Sequence, residues 1–163
     1  MLQNSNDSAW LTNPATPLTG FSPLISREGK PLGLRARFAL SELAKLAGQP
    51  LRASALRELV TANRVYLAEH TLDDLAAFCK GHPLPAGAAG VCQVLGRWDR
   101  TANLSSNARG YLYFQQLASA LNDIDGAWRT PFDPKDPINT PRHRLANAGG
   151  RQGAHGCLAG HRR

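Results

Sequence analysis

The 163-residue sequence predicts a mainly helical chain behind an open polar loop. Three observations carry that expectation. Apolar residues recur at three- and four-residue spacings between Leu34 and Leu121, no stretch keeps the alternation of a half-buried strand, and residues 1–33 are dense in glycine, proline and short polar side chains. The expected organisation is a loop segment over 1–33, a helical segment over 34–128, a proline-rich extended segment over 129–142 and a tail over 143–163.

In the loop segment, Asn4, Ser5, Asn6, Asp7 and Ser8 precede Trp10, and Pro14, Pro17, Gly20 and Pro23 prevent a helix or a long strand from following. Shaped loops of this composition are where sites concentrate. From Leu34 the pattern turns helical over 35–47, with Leu34, Phe38, Ala39, Leu43, Leu46 and Ala47 on one stripe and Gly48 before Pro50 as the stop. Ser54 caps a second expected helix over 54–68, with Leu56, Leu59, Val60 and Leu67 inward. Thr71 and Asp74 form a capping-box pattern for a third over 71–79.

After a loop from Gly81 to Gly90, Val91, Val94, Leu95 and Trp98 suggest a short fourth helix. Asn107 caps a fifth over 107–121, with Leu112, Leu117, Ala120 and Leu121 on its apolar side. Pro131, Pro134, Pro137 and Pro141 then call for extended backbone. From His143 onward there is no periodicity and no aromatic or β-branched residue, the composition of a disordered or out-of-frame tail.

The net charge of +7 points at first to an acidic partner. Arg142, Arg144, Arg151, Arg162 and Arg163 supply most of that excess, however, so a nucleic-acid role would rest on the tail and is not expected. No run approaches the ~20 apolar residues of a membrane span. Met1 is followed by Gln3, Asn4 and Asp7 where a signal peptide would be basic and then apolar, which on its own points to the cytoplasm.

The run Asn4 to Ile25, with its Asn-Asp-Ser-x-Trp-Leu-x-Asn-Pro core and Gly20-Phe21-Ser22-Pro23-Leu24-Ile25 ending, resembles the β-chain of the penicillin-acylase family of N-terminal-nucleophile hydrolases. The similarity is greatest to the branch acting on acyl-homoserine lactones and on aculeacin. It continues at Leu34-Arg35-Ala36-Arg37-Phe38, at Gly96-Arg97-Trp98-Asp99-Arg100 and from Trp128 to Arg142, covering about residues 2–142. The resemblance implies a C-terminal part of a β-chain, drawn from an α+β, four-layer αββα fold exported to the periplasm or secreted. A piece lacking the strands would leave apolar helix faces uncovered and need the remainder of the acylase as partner.

In that family a serine at the new N-terminus of the β-chain attacks an amide carbonyl, with its own α-amine as base and an asparagine amide among the oxyanion donors. By position the donor maps to Asn6, with Asn4 as the rival register. An orienting arginine maps to Arg35, with Arg37 as runner-up. Trp10 either lines the acyl pocket or wedges the loop into place. Cys79 and Cys92 look like a cysteine pair of the same branch, and Cys157 remains as an unpaired tail residue.

Ser5, Ser8, Ser22 and Ser26 are internal, so the chain is expected to be inactive alone. The substrate class implied is a small-molecule N-acyl amide, with no cofactor. A metal site from Cys79, His82 and Cys92 lacks a fourth ligand, and no metal is expected. Two other readings stay open: a stand-alone helical interaction module with a basic tail, and a non-functional remnant of a disrupted acylase gene.

Overall fold

A computed structural model describes residues 2–48, 50–104, 108–122 and 128–144. A 3-10 turn at Ala9–Leu11 is followed by helices α1 (Leu34–Leu46), α2 (Ala53–Thr61), α3 (Tyr66–Gly81), α4 (Ala88–Gly96) and α5 (Ala108–Asn122), then by strands β1 (Trp128–Thr130) and β2 (Arg142–Arg144). The chain is mainly helical, as the periodicity predicts. It divides into two compact units, one of Met1–Leu51 with Phe132–Pro141, the other of Arg52–Pro131 with the stretch from Arg142.

The first unit packs the polar loop on α1. Trp10, Leu11, Leu32, Ala36 and Leu40 form its buried cluster, with Phe132 and Ile138 against it. Gly33 offers no capping side chain, and its carbonyl accepts from Arg37 N–H at 3.0 Å to open the helix. Gly48, at φ +79°, follows the end of α1 in the left-handed conformation that favours glycine. The buried face is Ala36, Arg37 and Leu40, whereas the expected stripe began at Leu34, which is exposed. A buried arginine disguised the inner face as an outer one.

Between Asp133 and Thr140 the proline-rich stretch folds back on itself. The Thr140 hydroxyl donates to the Asp136 and Asp133 carbonyls and accepts from Asp133 N–H at 2.9 Å. The expectation of extended backbone throughout this stretch is therefore corrected. Prolines fix φ near the helical as well as the extended region, and here turns use them.

The second unit is built on α3, α4 and α5. Ala68, Leu72, Leu75 and Phe78 of α3, Ala88 and Leu95 of α4, and Phe114, Leu117 and Leu121 of α5 share one cluster with Trp98. The second expected helix stops at Thr61, and the third begins at Tyr66, five residues before the predicted start at Thr71. Asn63 sits at φ +47°, Val65 N–H bonds the Arg100 carbonyl at 2.8 Å, and Ala102 N–H bonds the Asn63 carbonyl at 2.8 Å. Those cross-chain bonds interrupt the helix that local sequence favours.

Thr71 is no cap: it is buried inside α3 and its hydroxyl donates to the Leu67 carbonyl at 2.7 Å. Arg64 starts the helix instead, with a two-pronged ion pair to Glu69 at 2.6 and 2.7 Å. In α5 Phe114 takes the inward place assigned to Leu112, which is exposed. The expected Asn107 cap lies outside the described residues.

Strand β2 pairs antiparallel with β1, Trp128 opposite Arg144 and Thr130 opposite Arg142. The expectation of a disordered tail from His143 is thus corrected for His143 and Arg144, while 145–163 lie outside the described residues. Cys157 lies there too. Two three-residue strands carry too little pattern to be seen in sequence.

Cys79 and Cys92 are joined by a disulfide, Cα atoms 6.2 Å apart, which ties α3 to α4. Because this bond spans 13 residues, its reduction should cost the second unit about 3 kcal/mol in the chain-entropy picture. Thermal unfolding with and without reductant measures that loss. The cysteines are spent on each other, and His82 Nδ1 lies 3.1 Å from the Phe78 carbonyl with its ring stacked on Phe78. Among the described residues no helix is long and apolar enough to cross a membrane.

Candidate functional site

The polar loop of the first unit is held by its own side chains. Asp7 accepts from Ser8 N–H at 2.7 Å and from Gly33 N–H at 2.6 Å, so one carboxylate joins the start of the loop to the start of α1. Ser8 caps the 3-10 turn through Trp10 N–H, donates to the Arg27 carbonyl and lies 3.2 Å from the Ser26 hydroxyl. Leu18 N–H bonds the Trp10 carbonyl at 2.9 Å, and Gln3 N–H the Thr12 carbonyl at 3.0 Å. These bonds close the loop on itself.

Within that frame the asparagines are unequal. Asn13 bonds Thr16 Oγ1 at 2.8 Å and accepts from Ala15 N–H, and Asn4 Oδ1 accepts from Asn6 N–H at 2.9 Å. Asn6 is exposed, sits at φ +58°, and its side-chain amide makes no hydrogen bond among the described residues. Asparagine tolerates the left-handed region better than most residues. A preformed loop thus presents the Asn6 primary amide with its donors unengaged among the described residues, as are those of Asn4, and such donors are the requirement for stabilising a developing oxyanion; Asn6 differs in its left-handed backbone.

Trp10 is 93% removed from solvent in the structural sense that matters, being 7% exposed and packed in the cluster with Leu11 and Leu32. Its indole belongs to the core of the first unit. Of the two arginines, Arg37 is buried and donates from Nε to the Ile138 carbonyl at 2.7 Å and from Nη1 to the Pro141 carbonyl at 3.0 Å. Arg35 is exposed and makes no ion pair or hydrogen bond among the described residues. Arg37 is therefore committed to holding the 132–141 stretch on α1. Arg37→Met should destabilise the first unit by about 3 kcal/mol by orphaning two carbonyls, against less than about 0.5 kcal/mol for Arg35→Ala. Chemical denaturation of the two variants checks the contrast.

Sequence reasoning did not find the Asp7, Ser8 and Ser26 bracing. Its only local trace is Asp-Ser before a buried aromatic, since the partners Arg27 and Gly33 are remote in sequence. A cavity of about 130 Å³ in the second unit, lined by Leu72, Cys79, Cys92 and Trp98 among others, is well under the ~300 Å³ at which small-molecule pockets begin. Asp73 and Arg100 also line it and form an exposed ion pair. The Arg100 guanidinium, by hydrogen bond first and charge second, holds the Asp73 carboxyl below the usual range. Among the described residues no group of three or more His, Cys, Asp or Glu side chains could hold a metal ion.

Comparison with known proteins places this geometry in context. The model of the penicillin amidase family matches residues 1–148. The chain is 49% identical over 142 residues to the acyl-homoserine lactone acylase PvdQ of Pseudomonas fluorescens strain Pf0-1, covering 86% of this chain and 18% of that protein. It is 46% identical over 144 residues to PvdQ of Pseudomonas syringae pv. syringae, with the same coverage. The aculeacin-A acylase of Actinoplanes utahensis is 32% identical over 152 residues, 85% of this chain and 19% of that protein. The chain therefore spans less than a fifth of the length of the relatives it matches.

Proposed function

The chain belongs to the penicillin amidase family, and on that premise we propose that it is a β-chain segment of an N-acyl amide hydrolase, supplying the oxyanion donor Asn6. The observation that carries this reading is the unspent amide of Asn6 in a braced, left-handed loop. In the proposed reaction a chain-terminal serine adds its Oγ to the acyl carbonyl while its own α-amine takes the proton. Asn6 donates to the oxygen that becomes negative, collapse expels the amine with that proton, and water then frees the acid from the acyl-serine. Hydrolysis of this kind needs no redox cofactor.

Internal serines have no α-amine to serve as base. Ser8 and Ser26 are engaged within the loop and Ser5 donates to Gln3 at 2.8 Å, so the nucleophile comes from the remainder of the acylase. That remainder is also the partner, and its location is that of an exported enzyme, in keeping with the disulfide. Arg35, exposed and without an ion pair or hydrogen bond among the described residues, is the proposed orienting cation. The substrate class is an N-acyl amide of the kind named for the relatives, an acyl-homoserine lactone or a lipopeptide such as aculeacin A.

The test is a graft of residues 2–142 into a PvdQ-type acylase in place of the matching segment. The graft should hydrolyse acyl-homoserine lactones, and the 163-residue chain alone should not. Turnover by the isolated chain, or an inactive but folded graft, would overturn the reading.

A further inference from the structure

Beyond the polar face that carries Asn6, the same loop bears an apolar knob. Ser22 organises a turn: its carbonyl accepts from Ile25 N–H at 2.8 Å and Ser26 N–H at 3.0 Å, and its Oγ accepts from Leu24 N–H at 3.3 Å. Gly20 N–H is held by the Glu28 carboxylate at 3.3 to 3.4 Å. The turn is therefore shaped from within, yet Leu24 is 98% exposed, Ile25 74%, Phe21 50% and Leu18 43%. Bracing a turn so that four large apolar side chains stand in water is unfavourable unless a partner covers them.

We propose that Leu18, Phe21, Leu24 and Ile25 form the docking surface for the remainder of an acylase, whose complementary face is apolar and belongs to the portion carrying the nucleophilic serine. The proposal rests on the reading of the preceding subsection. Two facts select this occupant. The relatives carry this chain's sequence in only 18% of their length, so most of the protein that would surround the knob lies outside the chain. No charged residue occurs from Thr12 to Ser26, so the surface offers nothing to nucleic acid or to an acidic peptide.

The knob is also coupled to the chemistry. Ser26 is buried at its base and meets Ser8, two residues from Asn6, so seating the turn on the rest of the enzyme fixes where the Asn6 amide stands relative to the attacking serine. A rigid connection of this kind makes docking and donor placement one event.

The experiment pairs the full 163-residue chain with a PvdQ-type acylase from which the segment matching residues 2–142 has been removed, and follows complex formation by size-exclusion chromatography and titration. Leu24→Asp with Ile25→Asp should weaken association roughly tenfold or more. Leu104→Asp, at a residue equally open to solvent in the other unit, should not. Circular dichroism of each isolated variant should be unchanged, because the altered side chains touch solvent.

Should the truncated acylase not fold, amide exchange decides: residues 18–26 should exchange faster in the isolated chain than in the intact graft. Association indifferent to the double variant, no association by a folded pair, equal exchange in chain and graft, or a patch-dependent homodimer in place of the complex would each overturn the proposal. Asn6→Ala should associate normally. Patch-dependent association with an inactive graft would leave the docking surface standing and remove the catalytic reading.

Discussion

Asn6→Ala in the active graft is expected to lower kcat by roughly 10²–10³, the usual effect of removing one oxyanion donor, with KM changed little. The reasoning is differential: an amide that bonds only the developing negative oxygen stabilises the transition state more than the bound substrate. A change confined to KM would mean that Asn6 binds the ground state. Asn4 tests the register. Its Oδ1 accepts from Asn6 N–H at 2.9 Å and so braces the loop; if bracing is its part, Asn4→Asp, which keeps the acceptor and loses the donors, should restore most of what Asn4→Ala loses. If Asn4→Ala proves as damaging as Asn6→Ala and Asn4→Asp does not rescue, the donor is Asn4.

Part of the candidate site is legible in the sequence, and the reason is chemical. Short polar residues with prolines and glycines can only make a loop, and among its asparagines the one before Asp7-Ser8 stood out by resemblance. Its geometry was not legible, because the bonds that shape the loop run from Asp7 to Gly33 and from Ser8 to Arg27, across separations no local pattern records. Trp10 shows the same division. An aromatic in a polar loop carries no local sign of its burial until its neighbours Leu11, Leu32 and Leu40 are in place.

The helices divide likewise. The existence of α1, α4 and α5 follows from spacing, and Gly48 and Gly81 mark where α1 and α3 end, whereas α4 begins at Ala88, inside the loop expected over 81–90. The position of the break between α2 and α3 does not follow from spacing, because it is set by chain pairing at Arg64 and Thr101 that overrides the helical preference expected to run to residue 68. Arg37 inverted the expected face of α1 for a related reason. A guanidinium is buried only when remote carbonyls receive it, and Ile138 and Pro141 lie a hundred residues away.

Gly110→Ala is expected to destabilise the second unit by about 2 kcal/mol or more, although alanine is the better helix former by about 1 kcal/mol. Gly110 lies in the first turn of α5, and a Cβ built there would stand 2.5 Å from Trp98 Cβ and 2.6 Å from its Cγ. The tryptophan has little freedom to retreat. It is 4% exposed, its Nε1 donates to the Thr101 carbonyl at 2.9 Å, and its ring packs on Phe114 with centroids 5.4 Å apart. Steric overlap with a fixed neighbour therefore outweighs the gain in helix propensity, and the melting temperature should fall by ~5 °C or more. Gly90→Ala supplies the opposite sign: it lies inside α4 with nothing within 4 Å of a new Cβ, so there the propensity term acts alone and stability should rise by up to about 1 kcal/mol. Equal shifts in the two variants would show that α5 does not approach Trp98 as closely as described, and with that the packing of Trp98 against Gly110 would have to be abandoned.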